Sequence, residues 1–140
     1  MSYLSWFKNH AKKHQEIVKK VSVDKLIEYF RWENISKTNV DFCPLFAENR
    51  KCHKMQNLNC YLCACPNFCF DDSAKSLKSW CSIDSKDGAK IEHNGIIHQD
   101  CSRCNIPHDE GYIKKHFDTS WLKIMKNKNK KFYRRDKILT

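Results

Sequence analysis

The chain has 140 residues and a formal charge of +10, with only three glycines and three prolines and an aromatic content of 12%. That length suits one domain with a modest core and excludes two independent ones, and the composition argues against a disordered linker. Nine cysteines are far above ordinary usage, so their chemistry dominates the reading.

The N-terminus, M-S-Y-L-S-W-F-K-N-H, reaches its lysines too early for a signal-peptide core, and no apolar run is long enough to span a membrane. A cytoplasmic location is the expectation. Thiols stay reduced there, which favours metal ligation over disulfides, and an odd cysteine count with a Cys-x-Cys step favours it again.

Leu4, Phe7, Ala11, His14, Val18 and Val21 alternate gaps of three and four, predicting an amphipathic first helix with Lys8, Lys12, Lys13, Lys19 and Lys20 off its apolar stripe. His10 and His14 lie four apart and could chelate an ion, although exposed histidines at that spacing are common. Asp24 caps a predicted second helix through about Glu33, with Leu26, Ile27 and Phe30 buried. From Asn39 the helical period is lost and the cysteines begin: Cys43, Cys52 followed by His53, then Cys60-x-x-Cys63-x-Cys65-Pro66 and Cys69. Asp87-Gly88 and Asn94-Gly95 between short alternating runs predict a small antiparallel meander, with Cys81 and Cys101 toward opposite ends and so in different sites. After Asp100-Cys101-x-x-Cys104-x-x-Pro107-His108, the spacing of Ile113, Phe117, Trp121 and Ile124 predicts a last helix to about Lys126. The basic tail interleaves Lys130, Lys131, Arg134 and Arg135 with Phe132 and Tyr133.

The expected fold is therefore α+β: one small domain, helices at both ends, and an irregular cysteine-rich centre ordered by metal. Residues 1–38 form the N-terminal helical segment, 39–117 the metal-binding centre, and 118–140 the end of the last helix and the tail.

Two Cys-x-x-Cys turns, Cys60/Cys63 and Cys101/Cys104, have the form of a tetrathiolate site in which each turn gives two ligands. If the backbone is extended at Cys63–Cys65, Cys65 faces away and joins Cys43, Cys52 and Cys81 in a second set. His53, Cys69, Asp100 and His108 remain as accessory groups. Zinc is preferred over an iron–sulfur cluster because the gaps do not match the ferredoxin run, although Cys65-Pro66 and the crowding of thiols suit either. Two four-thiolate sites holding divalent ions would bring +10 to about +6, so part of the basic excess is counter-charge.

The same set of residues, Cys43, Cys52-His53, Cys60-x-x-Cys63-x-Cys65-Pro66, Cys81 and Asp100-Cys101-x-x-Cys104-x-x-Pro107-His108, resembles the cysteine-rich small domain family, a probable metal-binding domain, over roughly residues 40–117. The resemblance implies metal binding through these positions and names no reaction, substrate or particular metal. Cys69 falls outside its pattern.

The function expected is a metal-binding protein with two cysteine-rich sites, structural or accessory, acting with an unknown protein partner. Three alternatives stand beside it: an iron–sulfur protein in electron transfer or cofactor metabolism, a metal-dependent enzyme, and a nucleic-acid or anionic-surface binder using the basic ends. No catalytic motif is recognised.

Overall fold

The computed structural model describes residues 2–129. Among the described residues, four strands and five helices make a mixed α+β domain. The predicted tail from Lys130 onward lies outside the described residues.

Helix α1, Tyr3–Lys20, starts where Ser2 Oγ accepts from Ser5 N. The Asp72 carboxylate, from a distant loop, accepts from the backbone N–H groups of Tyr3 and Leu4 at 2.9 Å each. A carboxylate there satisfies orphan donors and complements the helix dipole. The buried face is Phe7, His10, Ala11, His14 and Ile17, one position away from parts of the expected stripe. Leu4, Val18 and Val21 are half-buried at its edge. His10 and His14 are thus core residues, not surface ones. His10 stacks on Trp6 at 5.0 Å between ring centroids, and His14 lies 4.7 Å from both Tyr61 and Trp121.

The predicted second helix is two. After a 3-10 turn at Val23–Lys25, α2 runs Leu26–Tyr29, the chain breaks at Phe30, and α3 runs Trp32–Thr38. The break frees Phe30 O to accept from Cys60 N at 2.8 Å, while Trp32 N donates to Leu58 O at 2.9 Å. The helix gives way to a clamp on the strand-like stretch leading into the first cysteine turn. The last helix is broken in the same manner. α4, Glu110–Lys115, is capped by Asp109, whose carboxylate accepts from Tyr112 N, and α5 is Trp121–Asn129. Between them Asp118 O accepts from the Tyr61 hydroxyl at 2.6 Å.

Strand β1, Phe68–Phe70, pairs antiparallel with β2, Ser79–Cys81, and β3, Ala89–His93, with β4, Ile96–Asp100. Asn94 and Gly95, both at positive φ, make the predicted tight turn between β3 and β4. The strands form two two-stranded sheets in place of one continuous meander. Their join brings β2 against β4: Lys78 N donates to Ile97 O, Ile97 N to Ser76 O, and Gln99 N to Ser79 Oγ at 2.7 Å. This packing carries Cys81 toward Cys101, near enough for its charge to act on the Cys101 thiol.

Trp121, Tyr61, Phe30, Leu26, Ile35 and Leu62 fill the centre with no solvent exposure. Asn59, also fully buried, ties the pieces together. Its Nδ2 donates to Ile27 O at 2.8 Å and to Glu110 Oε2 at 3.1 Å, and its Oδ1 accepts from Tyr61 N at 2.9 Å. Asn59→Ala strands a buried carbonyl and a buried N–H, and is expected to cost about 3 kcal/mol, at the upper end for one buried polar side chain. Denaturant unfolding of the variant against the parent chain measures it; a loss under about 1 kcal/mol would mean those groups find other partners.

Candidate metal centre

Both cysteine turns are closed by backbone bonds at the same place in the motif. Cys63 N donates to Cys60 O at 3.1 Å, and Cys104 N to Cys101 O at 3.1 Å. Asp100 belongs to the second turn as a structural group: its carboxylate accepts from Ser102 N at 2.9 Å. These bonds, with the Ser102 side chain, hold its pKa below the usual carboxylate value. After Cys63 the chain is not extended. Ala64 and Cys65 take positive φ of 86° and 47°, uncommon for residues bearing a β-carbon, and this left-handed step redirects the backbone between the two thiols. The turn is held by Cys65 N donating to Leu62 O at 2.9 Å.

The thiols fall into two neighbourhoods, visible in which of them disfavour one another's charge. Burial is the first cause raising the Cys60 thiol, followed by the charges of Cys63, Cys52 and Cys43. Cys63 is raised by burial, then by Cys52 and Cys43. Cys52 is pushed up to about 11 by burial and then by Cys43. On the other side, Cys65 is pushed up to about 12 by burial, with Cys101, Cys81 and Cys104 as its principal charged neighbours. Cys101 reaches about 11 through burial, Cys104 and Cys81. Cys65 also disfavours the charge of Cys63, so the two groups adjoin there. Thiols so placed hold their protons unless a cation arrives, and a divalent ion inverts that preference.

Cys69 stands apart from the turns. It is buried on β1, its Sγ donating to Asn67 O at 3.8 Å, and burial pushes it up to about 11 with a further contribution from Cys81.

One constellation joins a thiol assigned by spacing to the second set, Cys52, with two residues left as accessory, His53 and His108. Cys52 Sγ, a His53 ring nitrogen and a His108 ring nitrogen all lie within 4.8 Å of one another, the group among the described residues with that geometry. His53 Nε2 is 2.9 Å from Cys101 O, and His108 Nδ1 is 3.0 Å from Asn59 O. A carbonyl only accepts, so those nitrogens carry the protons. His53 Nδ1, at 3.0 Å, and His108 Nε2, at 3.6 Å, are then the bare nitrogens, and both face Cys52 Sγ. Backbone carbonyls fixing the tautomer and aim of an imidazole are what metal-ligating histidines ordinarily have. Burial lowers the His108 pKa to about 4, which keeps its lone pair available. Nothing in the sequence spacing marks this convergence, because His53 and His108 arrive from opposite ends of the centre; the Pro107-His108 pair was the available signal.

Above this group opens a cavity of about 890 Å3. The aromatic side chains of Trp6, Phe7 and Phe68 line it together with Pro107, and Cys52, His53 and His108 lie in its wall. Near one edge Tyr3 bonds through its hydroxyl to His98 Nδ1 at 2.6 Å. No helix among the described residues is long and apolar enough to cross a membrane. No family model, no curated protein and no solved structure matches the chain.

Proposed function

We propose that the chain is a metal-binding protein whose cysteine-rich centre is held together by two divalent ions, zinc in preference to an iron–sulfur cluster. One ion is bound by Cys43, Cys52, Cys60 and Cys63, the other by Cys65, Cys81, Cys101 and Cys104. Relative to the pairing expected from spacing, Cys43 and Cys52 exchange places with Cys101 and Cys104. The carrying observation is that two Cys-x-x-Cys turns are closed by the same backbone bond, Cys63 N to Cys60 O and Cys104 N to Cys101 O. The grouping follows from which thiols would disfavour one another's charge, Cys43 and Cys52 with Cys60 and Cys63, and Cys81 and Cys104 with Cys65 and Cys101, Cys65 also acting on Cys63. Four-thiolate coordination of a divalent ion would offset that cost. Each ion would tie a Cys-x-x-Cys turn to loops that bury little apolar surface of their own, which is the usual task of a structural thiolate site.

Cobalt substitution tests this. Co(II) should give intense thiolate-to-metal absorption at saturation with two equivalents, and Cys65→Ser should remove about half of that intensity while leaving the other half. The zinc protein should be colourless; visible absorption with acid-labile sulfide would establish a cluster instead.

A further inference from the structure

We propose that Cys52, His53 and His108 hold an additional divalent ion whose open coordination position faces the cavity, and that the cavity takes a small aromatic molecule bearing a nitrogen or sulfur donor. The inference rests on the two-ion reading, since it uses Cys52 as a thiolate shared between two ions. Sulfur has the lone pairs for that, and the step is simple association of the ion with the three donor atoms.

Four observations meet here. The three donor atoms converge within 4.8 Å. Both imidazoles are oriented by backbone carbonyls, with the bare nitrogen of each toward the sulfur. Three protein ligands with one free position is the arrangement of zinc sites that bind exogenous groups, as distinct from closed structural sites. The free side opens into about 890 Å3 of space, the size that encloses a compact organic ligand. Its walls set the class. Trp6, Phe7, Phe68 and Pro107 offer flat apolar surface, and Lys78, half-buried in the same lining, forms no ion pair among the described residues. An aromatic body would stack on the walls while its donor atom reaches the ion.

The test uses the full chain loaded with Co(II), and imidazole and 4-phenylimidazole as probes. A third equivalent of cobalt should bind after the two thiolate sites fill, and both probes should shift the d–d bands of that third ion. 4-Phenylimidazole should bind at least tenfold more tightly than imidazole. Trp6→Ala, at a side chain 43% exposed, should reduce that preference severalfold without changing imidazole affinity. His53→Ala should remove the third equivalent and the probe response while the thiolate absorption of the first two remains. Absence of a third equivalent, or equal affinity for the two probes, overturns this inference and leaves the two-ion reading standing. Absence of the thiolate absorption itself overturns both.

Discussion

Replacing Cys60 and Cys104 together by serine is expected to reduce the tightly held, thiolate-bound metal from two equivalents to almost none, whereas Cys43→Ser combined with Cys60→Ser leaves one. The contrast follows from the grouping. If Cys60 and Cys104 belong to different four-thiol sets, one substitution disables each ion; if the two Cys-x-x-Cys turns share an ion, the same double variant leaves the other set whole. The effect on folding is correspondingly large, because a structural zinc site contributes on the order of 10 kcal/mol. Loss of both ions should leave residues 40–108 without protection from hydrogen exchange, while parts of α1 persist. Metal content after gel filtration reads the outcome directly. Retention of one tightly held equivalent in the Cys60/Cys104 double variant would restore the pairing drawn from spacing.

The second large effect is acid sensitivity arising away from the thiols. Burial lowers His10 to about 4 and His14 to about 3 from an ordinary value of 6.5. Above pH 6.5 both are neutral in folded and unfolded chains, and the stability they permit is fully present. Below it the unfolded chain takes up protons that the folded chain refuses, so stability falls as pH drops through 6.5 toward 3. Each histidine contributes a slope of about 1.4 kcal/mol per pH unit in that window. Metal release also consumes protons, so the informative quantity is a difference. His14→Phe keeps an aromatic ring among Phe30, Tyr61 and Trp121 and removes the titration. Between pH 6 and 4 its unfolding free energy should fall less steeply than that of the parent chain by about 1.4 kcal/mol per pH unit. Parallel slopes for the two proteins would contradict the burial of a neutral His14.

What the sequence made legible depended on whether the cause was local. The hairpin at Asn94-Gly95 was readable because positive φ at two adjacent residues has few sequence solutions. The first helix was readable from its period. Its buried face was less so, since His10 is polar by composition yet lies between Trp6, Phe42 and Trp121, a packing that no single stretch encodes. The helix breaks at Phe30 and between α4 and α5 were hidden for a similar reason. At each, a backbone carbonyl leaves its helix to meet a distant partner, Cys60 N in one case and the Tyr61 hydroxyl in the other. Periodicity of apolar residues continues across such breaks and gives no warning.

The site divides along the same line. Every residue of the Cys52–His53–His108 group was a candidate from composition and spacing alone. Their convergence was not legible, because Asn59 O and Cys101 O, which orient the two rings, are backbone atoms with no sequence signature. The position of Cys65 shows a different limit. Extended backbone would have turned it from Cys63; the observed left-handed step at Ala64 and Cys65 leaves the two thiols near enough to disfavour one another's charge, while Cys65 also lies near Cys81, Cys101 and Cys104.

The central claim is that the eight thiols serve as metal ligands. Elemental analysis of protein purified without oxygen, together with acid-labile sulfide and thiol titration in the native state, tests it most directly. The account predicts two tightly held divalent ions per chain, no sulfide, and no readily titrated thiol in the native state, the ninth, buried Cys69, becoming reactive only on unfolding or slow opening of β1. A folded chain with no stoichiometric metal and nine freely titrating thiols would contradict it.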